Sequence, residues 1–283
     1  MYFTYNEGMA RVRKIQGEHM DPLFGPPPAE VPLPRAPLER VLTQLRFSPI
    51  LLLQKEDAVS SFQEQIRSAY PVSAPEGSPL QIGPISLQMQ GHTVWRFADK
   101  RGDAWTWRLS LSVDFLSLET RAYVSRADFV ERLRIALEAL DRVATNPAYQ
   151  RLGVRYVDRV QGDCVGDIGK MVKPPMLGVI GDKELQPHVV QSLSQATYRC
   201  KEGQLLARWG QLPANASHDP NIMNPVDSKS WILDLDVFSI IPDEAQLDAQ
   251  GIVSMAHGLA ERAYAYFRWS VTKEFLKAYG GQV

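Results

Sequence analysis

The chain has 283 residues, 45% of them apolar and 22% charged, with Lys+Arg 31 against Asp+Glu 32 and a net charge of -1. That composition forms a folded core in one large domain or two intimately packed halves, and excludes a mainly disordered chain. A pI near 6.5 argues against a generic nucleic-acid binder, and no apolar run approaches the ~20 residues of a membrane helix.

Residues 1–37 read as a proline-rich lead-in. Pro22, Pro26, Pro27, Pro28, Pro32, Pro34 and Pro37 each fix φ and remove a donor, which gives a stiff, extended connector or a ligand for a partner's groove. No basic stretch followed by an apolar one opens the chain, so no secretory signal is predicted. The two cysteines, Cys164 and Cys200, make no CxxC pair, and a reducing cytoplasm is expected.

The first half spans 38–160. Residues 38–48 alternate as a strand, with Val41, Thr43, Leu45 and Phe47 on one face and Leu42, Gln44 and Arg46 on the other. Residues 51–70 place Val59, Phe62, Ile66 and Ala69 at helical spacing, and 71–84 read as a loop. Strands follow at 85–89 and 93–98, the first ending in a turn at 90–92, with a polar hairpin turn at 99–103. Trp105, Trp107, Leu109, Leu111 and Val113 then share a face, and 115–123 is a further strand. Ser125 caps a covering helix whose stripe is Phe129, Leu133, Ala136, Leu137 and Leu140, closed by Asn146-Pro147. Residues 151–160 form the next strand, with Leu152, Val154, Tyr156, Asp158 and Val160 on one face and Arg151, Gly153, Arg155, Val157 and Arg159 on the other.

The second half, 161–283, repeats the theme. Residues 161–187 read as irregular loop. Residues 189–200 and 204–212 form a hairpin around Lys201-Glu202-Gly203, and 213–228 is a polar loop. Trp231, Leu233, Leu235 and Val237 alternate in a strand, and one long helix runs from about 243 to 279. The expected fold is α+β: antiparallel sheets covered by helices, in two loosely similar halves of strands then helix.

Four stretches together resemble one family: Pro34-Arg-Ala-Pro-Leu-Glu-Arg-Val with Leu45-Arg-Phe-Ser-Pro49; Leu109-Ser-Leu-Ser-Val-Asp-Phe-Leu-Ser-Leu-Glu-Thr-Arg-Ala-Tyr123; Leu152-Gly-Val-Arg-Tyr-Val-Asp-Arg-Val160; and Leu233-Asp-Leu-Asp236 ahead of the long helix. In order and spacing they are similar to a sporadically distributed family of prokaryotic proteins with no known activity. The resemblance runs from about residue 32 to the end. It implies no activity, because the family has none to carry over. The family pattern carries Asn where this chain has Asp158.

Arg46, Arg155 and Arg159 are the anion-binding candidates, because guanidinium holds carboxylate or phosphate in a two-pronged grip. The alternative is pairing with Glu39, Glu119, Asp234 or Asp236 inside the chain. Asp234 and Asp236 fall on one face of a strand, about 7 Å apart at Cα, which suits a hard cation with Glu119 as a further ligand. Salt bridging to an arginine strand is the competing reading. The stretch 162–171 lacks the glycine and the hydroxyl of a phosphate loop, and the five histidines form no zinc motif.

The expected function is non-catalytic binding: an arginine-lined surface offered to a protein or anionic partner, without a cofactor. A homodimer is expected from the aromatic surplus Tyr264, Tyr266, Phe267, Trp269, Phe275 and Tyr279. The alternatives are a metal-dependent hydrolase or nuclease using Asp234 and Asp236, and a nucleic-acid module using aromatic and arginine side chains.

Overall fold

The alternation of residues 38–48 is realised as the first strand, β1 (Leu38–Phe47), of one antiparallel sheet. The computed structural model describes residues 20–76, 93–101, 104–145, 147–242, 245 and 247–282. After β1 come helix α1 (Glu56–Ile66) and strands β2 (Val72–Glu76), β3 (Val94–Arg101), β4 (Ala104–Leu111) and β5 (Phe115–Thr120). Helix α2 (Arg126–Val143), β6 (Tyr149–Val160) and the one-turn helices α3 (Asp163–Gly166) and α4 (Ile168–Met171) follow. Strands β7 (Ser192–Cys200), β8 (Gly203–Leu212) and β9 (Ser230–Ile240) lead to α5 (Ala249–Ser270) and α6 (Lys273–Ala278).

These strands form a nine-stranded sheet in the order β2-β3-β4-β5-β1-β6-β9-β8-β7. Strands β1 and β6 lie side by side at its centre. Outward from β1 run β5, β4 and β3, and outward from β6 run β9, β8 and β7. Each meander is followed by a long helix, α2 or α5, so β6 stands to β7–β9 as β1 stands to β3–β5.

The sheet has two unlike faces. On one, Val41, Leu45, Leu109, Leu118, Leu152, Val154, Leu235 and Val237 meet the stripes of the helices in a single core. Helix α1 packs on α2, α2 on α5, and α5 on β6 and β9. Ser125 caps α2 as expected, its hydroxyl accepting from the Asp128 N–H at 3.1 Å. The opposite face is rich in charged residues and carries a small apolar cluster of Leu42, Val157 and Ile232 with Leu212, Ile222 and Met223. The loop 213–229 therefore covers part of this face, anchored by Ile222 and Met223, which its polar composition hid.

Several boundaries differ from expectation. Residues 72–76 are not loop but β2, paired with β3. Strand β3 runs on to Arg101 and β4 resumes at Ala104, so the hairpin is tighter than 99–103. The strand expected at 115–123 stops at Thr120. Residues 161–187 hold α3, α4 and three short 3-10 turns rather than irregular loop. The long helix begins later and breaks at Val271, which makes a β-bridge to Val172, and Thr272 caps α6 by accepting from the Phe275 N–H. The strand predicted at 85–89, the turn at 90–92, the residues Gly102 and Asp103, and Asn146 lie outside the described residues.

The aromatic surplus is packed within the chain. Tyr266 and Phe275 are buried, Phe267 meets Phe275 edge-on at 5.6 Å, and the Tyr264 hydroxyl accepts from the Val31 N–H at 2.7 Å. The proline-rich segment thus lies on α5 and is tied to it. Arg262, itself buried, donates to the carbonyls of Pro22 and Gly25 as well as to Glu202. No described helix is long and apolar enough to cross a membrane.

Candidate functional site

The polar face can be built row by row from strand register. One row across the sheet reads Arg108, Glu119, Leu42, Arg155, Asp236 and Leu206. Beside it, Arg40 stands next to Val157, Asp234 and Arg208. Charges alternate in sign because neighbouring strands put long arginines against shorter carboxylates at distances that cross-strand pairs bridge. Most of these groups are buried, so each needs a partner.

Asp234 is the hub of one network. It is fully buried. Arg155 grips it with two bonds, Nε to Oδ1 and Nη2 to Oδ2, both 2.7 Å. Arg155 Nη2 also donates to Asp219 at 3.1 Å. His218 Nε2 lies 2.8 Å from Asp234 Oδ2, and Arg208 Nη1 donates to the same oxygen at 3.4 Å. Burial alone would raise the Asp234 carboxyl, but Arg155 and His218 outweigh it and hold it far below the usual range. The carboxylate therefore stays ionised and accepts only, which places the His218 proton on Nε2. Asp236 sits 3.5 Å from Arg151 Nη2, and burial pushes its carboxyl up against the pull of Arg151 and Arg155.

The arginine candidates thus separate. Arg155 uses Nε and Nη2 on Asp234 and Asp219, and its buried Nη1 has no hydrogen-bond partner among the described residues. Arg46 donates to Asp114 at 3.3 Å, a partner the sequence reading did not consider. Arg159 is buried, its nearest carboxylate is Glu39 at 4.0 Å, and its three guanidinium nitrogens have no hydrogen-bond partner among the described residues. Asp234 and Asp236 share a face as predicted, but arginines occupy both Asp234 oxygens and lie against Asp236 Oδ2. Among the described residues no group of three or more His, Cys, Asp or Glu side chains is placed to hold a metal ion.

The second network was missed. Between β3 and β4, Asp99 faces Trp107 while Lys100 faces Trp105, so Thr106 is an extra residue. This bulge turns Trp105 away from the core face that Trp107, Leu109 and Leu111 share. Trp105 instead lies beneath three guanidinium groups: Arg108 at 4.4 Å, Arg121 at 4.5 Å and Arg40 at 5.3 Å from the ring centre. One carboxylate, Glu119, serves Arg108 at 2.6 Å and Arg40 at 3.2 Å. Arg121 is exposed and has no carboxylate partner among the described residues. The Arg40 guanidinium is lowered to about 10, first by burial, against the pull of Glu119, and further by the charges of Arg121 and Arg108. A bulge leaves no mark in a pattern of alternating residues, so this cluster could not be assembled from the sequence.

The fold and site define an α+β protein with one helix-covered antiparallel sheet and a charged face. No protein-family model, curated protein or solved structure matches this chain.

Proposed function

We propose that this chain is a non-catalytic binding protein whose charged sheet face receives an anionic group of a partner at the Trp105 cluster. The observation that carries this reading is the excess, among the described residues, of three guanidinium groups over one carboxylate around a half-buried indole. A carboxylate or phosphate there would meet Arg121 at the surface, and Arg108 and Arg40 behind it, with the indole as a flat support. The internal pairing of Arg155 and Arg46 supports a framework role for those residues. The two Asp234 oxygens held by Arg155, with Arg151 against Asp236, favour binding over metal-assisted hydrolysis. The free thiols of Cys164 and Cys200 fit the cytoplasm. The partner's anion comes from a protein, a second copy of this chain included, or from a small molecule.

The test is calorimetric titration with inorganic phosphate against chloride at matched ionic strength, on the wild type and on Arg121→Gln. Arg121 is exposed, so its loss spares the fold. Saturable phosphate binding that the variant loses supports the proposal. Absence of binding, or equal binding by both proteins, overturns it.

A further inference from the structure

On the helix-covered face, a cavity of about 410 Å³ lies at the end of the sheet where β1 begins and β6 ends. Its walls are largely aromatic and aliphatic: Tyr123, Tyr156, Tyr264, Phe267 and Leu235 contribute, and residues 30–34 of the proline-rich segment close one side. That size and lining suit a small organic ligand. Asp158, on β6, is the buried acid in this wall.

Apart from Arg121, which is exposed and lies over Trp105, the polar groups around the cavity are satisfied among the described residues, with one buried exception. Arg126 is held by Glu30 at 2.5 Å and Glu261 at 3.3 Å. The Tyr123 and Tyr156 hydroxyls meet at 3.4 Å, and that of Tyr264 accepts from the Val31 N–H. Thr120 Oγ1 donates to the Thr106 carbonyl and accepts from the Ala122 N–H. Arg40 bonds Glu119, and Arg121 lies over Trp105. Asp158 is only 7% exposed and has no hydrogen bond or ion pair among the described residues. It sits where β1 is irregular: Leu38 faces Asp158 but Arg40 faces Val157, so Glu39 is bulged beside it. An unpaired buried carboxyl in an aromatic wall is costly unless something brought into the cavity donates to it.

We propose that this cavity binds a small organic ammonium ion, with an N–H donated to Asp158 and an apolar or aromatic body against Tyr123, Tyr156 and Phe267. The chemistry follows from the wall. A carboxylate accepts from a cation, and the faces of tyrosine and phenylalanine rings attract positive charge. An anionic ligand would meet Asp158 unfavourably, since Arg40 and Arg126 of the wall are already paired with carboxylates and Arg121 lies over Trp105. Burial raises the Asp158 carboxyl to about 7, with the Asp234 charge across the sheet pushing the same way. An incoming cation would reverse that balance and ionise it.

The probe is 2-phenylethylamine, compared with the uncharged 2-phenylethanol and the anionic 3-phenylpropionate, titrated into the full chain by calorimetry near neutral pH. The expected result is saturable amine binding at least about tenfold tighter than the alcohol, and no binding of the acid. Asp158→Asn keeps the side-chain shape and brings amine and alcohol to within about twofold of each other. The wild-type comparison needs no variant, so it decides even if the substitution harms folding. Equal binding of amine and alcohol, preference for the acid, no amine binding, or full amine selectivity in a folded Asp158→Asn variant would each overturn the proposal.

Discussion

Replacing Asp158 by Asn is expected to stabilise the protein at alkaline pH and leave it nearly unchanged in acid. Burial raises this carboxyl from 3.8 to about 7, with Asp234 contributing. Between those values the folded chain holds a proton that the unfolded chain has released. The associated stability is therefore fully present below about pH 4 and is lost as pH rises through about 7. At about 1.4 kcal/mol per pH unit over roughly three units, the loss reaches ~4 kcal/mol above pH 7. Asparagine carries no charge at either pH and escapes it. The assay is urea denaturation of both proteins at pH 4 and pH 8, without amine. Other carboxylates titrate equally in the two proteins and cancel in the difference. The variant should match the wild type within about 1 kcal/mol at pH 4 and exceed it by ~3–4 kcal/mol at pH 8. An equal difference at the two pH values would show that Asp158 is not held protonated by its surroundings, and the reasoning about the cavity wall would fall with it.

Arg155→Met should destabilise the fold by ~3–5 kcal/mol in denaturant, because it strands the buried Asp234 carboxylate, and a further Asp234→Leu change should recover most of that loss. A penalty below about 1 kcal/mol would mean that His218 and Arg208 alone neutralise Asp234. Gly210 in β8 has φ +146, and a Cβ there would lie 1.9 Å from the Ser192 carbonyl oxygen, so Gly210→Ala should cost ~1–3 kcal/mol and loosen the β7 edge in hydrogen exchange. Protection of β7 unchanged by that substitution would contradict it.

The elements that were legible are those with a clean period. Strands β1 and β6, the α2 stripe with its Ser125 cap and the β7–β8 hairpin all follow from one buried face and one local stop. What was not legible depends on a partner far along the chain. Strand β2 exists because β3 pairs with it, not because Val72–Glu76 has a strand pattern. The break at Val271 needs Val172, a hundred residues earlier in order of magnitude, to bridge it. Residue types on the charged face were readable, and so was the chance that its arginines pair internally. Which arginine meets which acid was not, since register across β1, β6 and β9 decides it. Trp105 was misplaced because one extra residue in a strand reverses the face of everything on its far side.

The proposed anion site is tested most directly by the indole N–H resonance of Trp105, assigned by its loss in Trp105→Phe and followed during phosphate titration at constant ionic strength. The account predicts a saturable shift of that resonance, abolished in Arg121→Gln. A Trp105 signal that does not move with phosphate, or that moves alike in the variant, would contradict it.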